Sequence, residues 1–128
     1  AKNHKITYCS LNEIISRSDI ITVHLSLNKK TNRLITKNYL QKTKEGLIII
    51  NTSRGEIIDE DALYTLLKSK HIYGAGLDVF CDEPYYGPIK DLDNVVLTPH
   101  IAAYAKEIRI QMEIESVQNL IKGINEKR

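Results

Sequence analysis

The sequence lacks the features that mark several classes of protein. No apolar run approaches the roughly 20 residues needed to span a bilayer, and the first residues show no signal-peptide pattern. Only Cys9 and Cys81 are present, too few for the disulfide framework of a secreted scaffold or for a four-ligand zinc site. The net charge of +2 is too small to indicate nucleic acid. We therefore expect a cytoplasmic protein with reduced thiols and with neither a membrane nor a nucleic-acid partner.

The size and composition of the chain fit one globular domain. Its 128 residues are 42% hydrophobic and 27% charged, which is ordinary for a folded domain with a modest core. Internal repeats, low-complexity tracts and linkers rich in Pro or Gly are absent, so nothing marks an internal boundary. We therefore treat residues 1–128 as a single domain.

Short apolar segments alternate with helical patterns along the chain. The segments are rich in Ile, Val and Leu on both faces, which is typical of parallel strands and not of an antiparallel sheet with one side in water. The alternation predicts an α/β fold with a doubly wound parallel sheet. The predicted strands are Ile20 to Leu25, Leu47 to Asn51, Ala75 to Phe80 and Val95 to Thr98, with Lys5 to Tyr8 as a shorter candidate.

Capping residues mark the starts of two predicted helices. Ser10, with Glu13 three residues later, forms a capping-box pattern at the start of the first helix. Asp59 precedes the second helix, which covers Glu60 to Lys68. Both helices lie between predicted strands, as the alternation requires.

Two further helices are predicted from weaker signals. One covers about 36–44 and is expected to stop at Gly46 in a left-handed conformation. The other runs from Ala105 to Lys122, where apolar residues recur near helical spacing, and its main part is expected to end at Gly123. That spacing predicts an amphipathic helix.

Polar residues follow each predicted strand at its carboxyl end. In doubly wound parallel sheets, ligands bind beyond this end of the strands. The sequence therefore predicts a ligand site at one edge of the sheet. The residues concerned are His24 and Ser26 after the first strand, Asn51-Thr52-Ser53-Arg54-Gly55 after the second, Asp78 to Glu83 after the third and Thr98-Pro99-His100 after the fourth. Gly55 is expected to leave the backbone room to approach a ligand.

Three of these residues form a plausible set for acid/base chemistry on an organic acid. Arg54 can make a two-pronged contact with a carboxylate. His100 titrates near neutral pH in its unperturbed state and can donate or accept a proton. Glu83 can bind one imidazole nitrogen, fix the tautomer and favour the protonated ring. Taken singly, each also has an ordinary structural interpretation: a surface ion pair, a core histidine and a turn residue before Pro84.

Four sequence blocks together resemble those of D-2-hydroxyacid dehydrogenases. They follow in the family's order within about 50 residues, so an accidental match is improbable, and the similarity extends upstream through Ser18-Asp19-Ile20-Ile21-Thr22-Val23-His24. The blocks are Asn51-Thr52-Ser53-Arg54-Gly55-Glu56-Ile57-Ile58-Asp59, Gly74-Ala75-Gly76-Leu77-Asp78-Val79-Phe80, Glu83-Pro84 and Thr98-Pro99-His100.

The resemblance implies a role for each candidate residue. Arg54 would bind and polarise a 2-oxo acid, His100 would exchange a proton with its 2-oxygen, and Glu83 would support His100. The implied reaction is reversible hydride transfer between NADH and a 2-oxo acid, with no metal required. A homodimer of the full-length protein is the family's usual state. The implied cofactor-binding residues are Asp78, at the nicotinamide end, with Thr52, Ser53 and His24.

The Gly-x-Gly-x-x-Gly loop that holds the cofactor pyrophosphate is absent from the sequence. We therefore interpret residues 1–128 as the second half of a Rossmann-like NAD-binding domain, without its glycine-loop half and without the substrate domain. Phosphate binding by that loop is a main source of dinucleotide affinity, so we expect these residues alone to bind NADH weakly and to show no turnover.

Two other classes of function remain open on the sequence. The chain could be a non-catalytic relative, since the same fold family includes transcriptional corepressors that keep a dinucleotide site. It could also be a structural or dimerisation module in which the catalytic-looking residues are relics. The intact Arg54, Glu83 and His100 set favours the dehydrogenase.

Overall fold

The computed structural model describes residues 6–126. Within this range the chain forms a four-stranded sheet, helices and two short 3-10 turns, at Gly55–Ile57 and Pro88–Asp91. Nothing in this range is a helix long and apolar enough to cross a bilayer. In chain order, the elements are α1 (Leu11–Arg17), β1 (Ile20–Val23), α2 (Lys37–Leu40), β2 (Leu47–Asn51), α3 (Glu60–Lys68), β3 (Ile72–Leu77), β4 (Val95–Leu97) and α4 (Lys106–Asn125).

All the strands of the described sheet are parallel, in the order β1-β2-β3-β4. The predicted α/β fold with a parallel sheet is thus confirmed. Side chains on one face of the sheet pack against α1, α2 and α3, because alternate strand residues point to the same side. The core on this face includes Ile15, Ile21, Val23, Leu40, Leu47, Ile49, Leu63 and Leu67.

The opposite face of the sheet is largely open within residues 6–126. Ile20 of β1 is 60% exposed and Val96 of β4 is 70% exposed. The strands carry apolar residues on both faces of the sheet, yet the described helices cover only one of the two faces.

The caps predicted for α1 and α3 are confirmed. The backbone N–H of Ser10 donates to Glu13 Oε2 at 2.8 Å, and the N–H of Glu13 donates to Ser10 Oγ at 3.3 Å. Asp59 Oδ1 accepts from the N–H of Ala62 at 3.1 Å. Each cap satisfies amide groups that have no partner inside the helix.

The helix predicted at 36–44 is shorter than expected. It covers only Lys37–Leu40, and the chain then tightens into turns in which the N–H of Lys42 donates to the Tyr39 carbonyl and the N–H of Thr43 to the Leu40 carbonyl. Gly46 has the predicted left-handed conformation, with φ of 87°, but it lies beyond the helix and its N–H binds the carbonyl of His71. The turn that Gly46 completes leads directly into β2.

Strand boundaries also differ from the predicted ones. β3 begins at Ile72, three residues before the predicted Ala75, and it ends at Leu77 instead of Phe80. Gly74 lies inside the strand, where an added Cβ would approach the Asn94 carbonyl oxygen to 3.1 Å. β1 and β4 end at Val23 and Leu97, earlier than predicted.

The short strand predicted near the start of the chain and the predicted end of the last helix also differ from the structure. Ile6 to Tyr8 is not a strand, and Lys5 lies outside the described residues. α4 continues through Gly123 to Asn125. Gly123 therefore does not end the helix.

Candidate functional site

The carboxyl ends of the strands are level with one another. Val23 pairs with Asn51, Asn51 with Leu77, and Leu77 with Leu97. The residues that follow these strands therefore leave the sheet at one edge, where the sequence predicted the site.

The loop that carries Arg54 is shaped by the buried side chain of Asn51, the last residue of β2. Its Nδ2 donates to the Arg54 carbonyl at 2.8 Å, and its Oδ1 accepts from the Ser53 N–H at 3.1 Å and from the Ser53 hydroxyl at 2.9 Å. The exposed Arg54 guanidinium donates from Nη1 to the Ser53 carbonyl at 2.5 Å. Asn51 thus fixes the backbone from which Arg54 projects.

Gly55 brings the Arg54 loop against the segment that follows β3. A Cβ at Gly55 would lie 2.0 Å from the carbonyl carbon of Phe80 and 2.4 Å from the amide nitrogen of Cys81. The segment after β3 is also held by α3, since the Cys81 N–H donates to Glu60 Oε2 at 3.1 Å. This close backbone contact places the segment that leads to Glu83 beside Arg54.

Glu83 and His100 form a hydrogen-bonded pair. His100 Nδ1 lies 2.8 Å from Glu83 Oε2, while Glu83 Oε1 accepts from the Phe80 N–H at 3.0 Å. The hydrogen bond with His100 and the one from Phe80 outweigh partial burial and hold the pKa of Glu83 below its usual value. A carboxylate bound to Nδ1 fixes the orientation of the imidazole and directs the other nitrogen, Nε2, away from Glu83.

The predicted catalytic set meets around one cavity of about 230 Å³. Arg54 lines it from the β2 side, Glu83 from the segment after β3 and His100 from the loop after β4. A guanidinium and an imidazole facing one space can bind an anionic ligand and exchange a proton with it. The structure thus brings together three residues of which the outer two, Arg54 and His100, are 46 positions apart in the sequence.

A neutral thiol also lines this cavity. Cys81 is partly exposed, but partial burial and the nearby carboxylates of Glu60 and Glu56 raise the pKa of its thiol to about 11. At neutral pH the thiol stays protonated, so Cys81 is not a nucleophile there.

The predicted cofactor-binding residues lie at the same edge of the sheet but differ in accessibility. His24 and Thr52 are exposed, and His24 Nε2 lies 2.9 Å from the Thr22 hydroxyl. Ser53 is half-buried with its hydroxyl bound to Asn51. A row of polar groups at the ends of parallel strands fits a dinucleotide. Among residues 6–126 there is no cluster of three or more His, Cys, Asp or Glu that could hold a metal.

Asp78 is the buried member of this group, with 3% of its surface exposed. Burial by itself would raise its pKa, but hydrogen bonds from Thr98, Ile101 and Ala102 outweigh burial and leave the pKa below its usual value. Asp78 is therefore a charged carboxylate enclosed by the loop that carries His100.

Sequence reasoning missed the residues that shape these loops. Asn51 and Thr98 were included in the family-like blocks without a role of their own, and Gly55 was expected to leave room for a ligand, whereas the structure places the Phe80–Cys81 backbone against it. A polar Asn at the end of the Leu-Ile-Ile-Ile run was a usable signal, because a buried amide must find hydrogen-bond partners. The close approach at Gly55 had no signal apart from the glycine itself.

Comparison with known proteins gives one consistent result. The family model described as D-isomer specific 2-hydroxyacid dehydrogenase, NAD binding domain, matches residues 1–102. A hydroxypyruvate reductase of Thermotoga maritima is 41% identical over 123 residues, covering 93% of this chain and 40% of the relative.

Solved structures agree with the sequence match. A glyoxylate reductase from Paecilomyes thermophila superposes with a TM-score of 0.85 and 36% identity, covering 91% of this chain and 36% of that one. An acyclic imino acid reductase in complex with NADPH and D-Arg superposes with a TM-score of 0.85 and 38% identity, covering 92% of this chain and 38% of that one. The chain thus spans about two fifths of the length of the relatives it matches.

Proposed function

Because the chain belongs to the D-isomer specific 2-hydroxyacid dehydrogenase family, as the four sequence blocks predicted, we propose that it forms part of an NAD-dependent oxidoreductase. The enzyme interconverts a D-2-hydroxy acid and a 2-oxo acid. The observation that supports this proposal most directly is the meeting of Arg54, Glu83 and His100 around one cavity.

Each of the three residues has a proposed role that follows from its contacts. Arg54 binds the substrate carboxylate with its planar guanidinium and polarises the neighbouring 2-oxo group. His100 donates a proton from Nε2 to the 2-oxygen during reduction and removes it during oxidation. Glu83 holds Nδ1 at 2.8 Å, so the ring keeps its orientation and leaves Nε2 for the substrate.

The proposed cofactor is NAD, which supplies the hydride when bound. Thr52, Ser53 and His24 are the proposed contacts at the open edge of the sheet, together with Asp78 near the nicotinamide. The reductase solved with NADPH is a relative of this chain, so the choice between NADH and NADPH is part of the proposal and of its test.

The proposed organisation is that residues 1–128 form part of the NAD-binding domain of a longer protein. Its relatives are about two and a half times as long, and the open face of the sheet offers apolar side chains to a further layer of structure. We propose that the complete protein is a cytoplasmic homodimer acting on small 2-hydroxy and 2-oxo acids.

The test is an assay of the complete protein with glyoxylate and hydroxypyruvate, each with NADH and with NADPH. We expect reduction of at least one substrate, with NADH preferred, and formation of the D isomer where the product is chiral. The His100→Ala variant should lose about 10²- to 10⁴-fold in kcat. The Arg54→Lys variant should also be impaired, because a point charge cannot reproduce a two-pronged contact.

The controls separate this function from its alternatives. Glu45→Gln changes an exposed carboxylate in the turn before β2, and it should leave kcat unchanged. A complete wild-type protein that binds NADH but reduces no 2-oxo acid would contradict the dehydrogenase and favour a non-catalytic, corepressor-like role. A preference for NADPH would contradict only the cofactor proposal.

A further inference from the structure

We propose that Asp78 is a positioning residue, which holds His100 in its working orientation by clamping the loop on both sides of it. The proposal deepens the proposed function and rests on it, since His100 is the proton donor there. It assigns to Asp78 a role that acts through the protein, in addition to the cofactor contact expected from the sequence.

Both oxygens of Asp78 are engaged by the loop that carries His100. Oδ1 accepts from the Thr98 hydroxyl at 2.5 Å and from the Ile101 N–H at 2.9 Å, and Oδ2 accepts from the Ala102 N–H at 2.9 Å. One donor thus precedes His100 and two follow it. A single buried carboxylate fixes both ends of a five-residue segment.

The backbone of His100 has a conformation that needs such support. Its φ is +56°, in the left-handed region that side-chain-bearing residues rarely occupy. The His100 N–H donates to the carbonyl of Asp78 at 2.9 Å, so Asp78 binds the loop through its backbone as well as through its side chain. Uncommon backbone conformations persist where surrounding contacts determine them, and they concentrate at functional sites.

The side chain of His100 has few restraints of its own. It is 48% exposed, and its ring is held at Nδ1 by Glu83. The position of Nε2 therefore depends on where the backbone places the ring. Misplacing a catalytic group by about 1 Å can cost on the order of 10²-fold in rate.

The decisive variant is Asp78→Asn in the complete protein. An amide has one accepting oxygen, so at least one of the three donors loses its acceptor. We expect kcat at saturating cofactor to fall by about 10- to 100-fold, because the lost interaction acts on the reacting geometry, while loss of the proposed nicotinamide contact is measured separately as a rise in KM for the cofactor. Asp82→Asn, an exposed carboxylate in the segment after β3, is the matched control and should leave both constants unchanged.

A second variant covers the case in which Asp78→Asn does not fold. Thr98→Val keeps the carboxylate and removes only the hydroxyl contact at 2.5 Å. Thr98→Val should also lower kcat, by about three- to tenfold.

The ring of His100 provides a readout that needs no turnover. In ¹⁵N spectra of the histidine rings, the His100 signal is identified by its loss in His100→Gln. We expect the Nδ1–H signal of the bond to Glu83 to weaken or shift in Asp78→Asn and Thr98→Val, and to be unchanged in Asp82→Asn. If the wild-type protein reduces no 2-oxo acid, the proposed function fails and this comparison alone decides the role of Asp78.

Two results would overturn the positioning role. One is an unchanged His100 spectrum together with an unchanged kcat in Asp78→Asn. If Asp78→Asn does not fold, the same result in Thr98→Val would overturn the role. The other is a large rise in KM for the cofactor with kcat unchanged, which would limit Asp78 to cofactor binding.

Discussion

At the scale of single residues, the site depends on hydrogen bonds that fix otherwise exposed side chains. Glu83 shares its two oxygens between His100 Nδ1 and the backbone of Phe80, so it cannot turn away from the imidazole without losing both contacts. Among residues 6–126, the Arg54 guanidinium has only the adjacent Ser53 carbonyl as a hydrogen-bond partner, so it lacks a comparable restraint. We infer that the proton-transfer pair is organised before ligands bind, whereas Arg54 reorients towards a substrate carboxylate.

The charge of Glu83 predicts a specific pH dependence. Its pKa is lowered, first by the hydrogen bond with His100, so the carboxylate stays ionised until the pH falls below the ordinary glutamate value of about 4.3. Glu83→Gln should therefore lower kcat by about 10- to 100-fold at every pH from about 5.5 to 8. As the pH falls through the lowered pKa, the wild-type residue also becomes neutral, and the difference between the two proteins should shrink.

The measurement is kcat of both forms of the complete protein from about pH 8 down to about pH 3, so that the series passes below the ordinary glutamate value. Glu45→Gln removes an equal charge in an exposed turn and should follow the wild-type profile. A difference that shrinks on the alkaline side instead would show that the ionisation of Glu83 is not its source.

At the scale of elements, the site is assembled by two loops that meet through their backbones. Gly55, at the start of the 3-10 turn after Arg54, contacts the peptide between Phe80 and Cys81. This contact sets the distance between the Arg54 loop and the segment that carries Glu83. The geometry of the site therefore depends on the absence of a side chain at one position.

Gly55→Ala tests this dependence. The added Cβ would lie 2.0 Å from a backbone carbon, a distance that side-chain motion cannot relieve, so one loop must move. We expect a loss of stability of about 1–3 kcal/mol, as for overpacking in a core, together with a large loss of activity in the complete protein. The measurement is the midpoint of urea unfolding, with kcat measured under native conditions.

Gly123→Ala is the matched control, because an added Cβ there meets nothing within 4 Å and the residue lies inside α4. It should leave activity unchanged and should not lower the unfolding midpoint, since Ala favours helix over Gly. Gly55→Ala with native stability and native kcat would show that the loops have room to separate.

The same scale shows what the sequence could and could not predict. Alternating apolar segments and caps such as Ser10 with Glu13 predicted the elements, because these signals are local. The family-like blocks predicted Arg54, Glu83 and His100 as a set. The Gly55 contact and the Asp78 clamp join residues 20 or more positions apart, so no local pattern could reveal them. The early end of α2 also had no local signal: the N–H and the hydroxyl of Thr43 both bind the Leu40 carbonyl there.

At the scale of the whole molecule, residues 6–126 divide into a packed part and an unpacked part. The strands β1, β2 and β3 with α1, α2 and α3 share one core. α4 has no buried residue, and its apolar side chains, such as Ile108 and Leu120, are about half exposed or more. Most of the stability of a helix in a protein comes from packing of its apolar face, so α4 lacks that contribution in this chain alone.

Hydrogen exchange should show this division directly. In the purified 128-residue chain, amides of β2, which lies between β1 and β3, should be the slowest to exchange, and amides of α4 should exchange by local opening. Mass spectrometry of peptic fragments measures both regions in one sample, and a dilution series controls for self-association. Protection of α4 equal to that of β2 at every concentration would contradict this division, since it would require packing within one chain. In the complete protein, slower exchange in α4 with β2 unchanged would show that its apolar face is covered by the rest of the molecule.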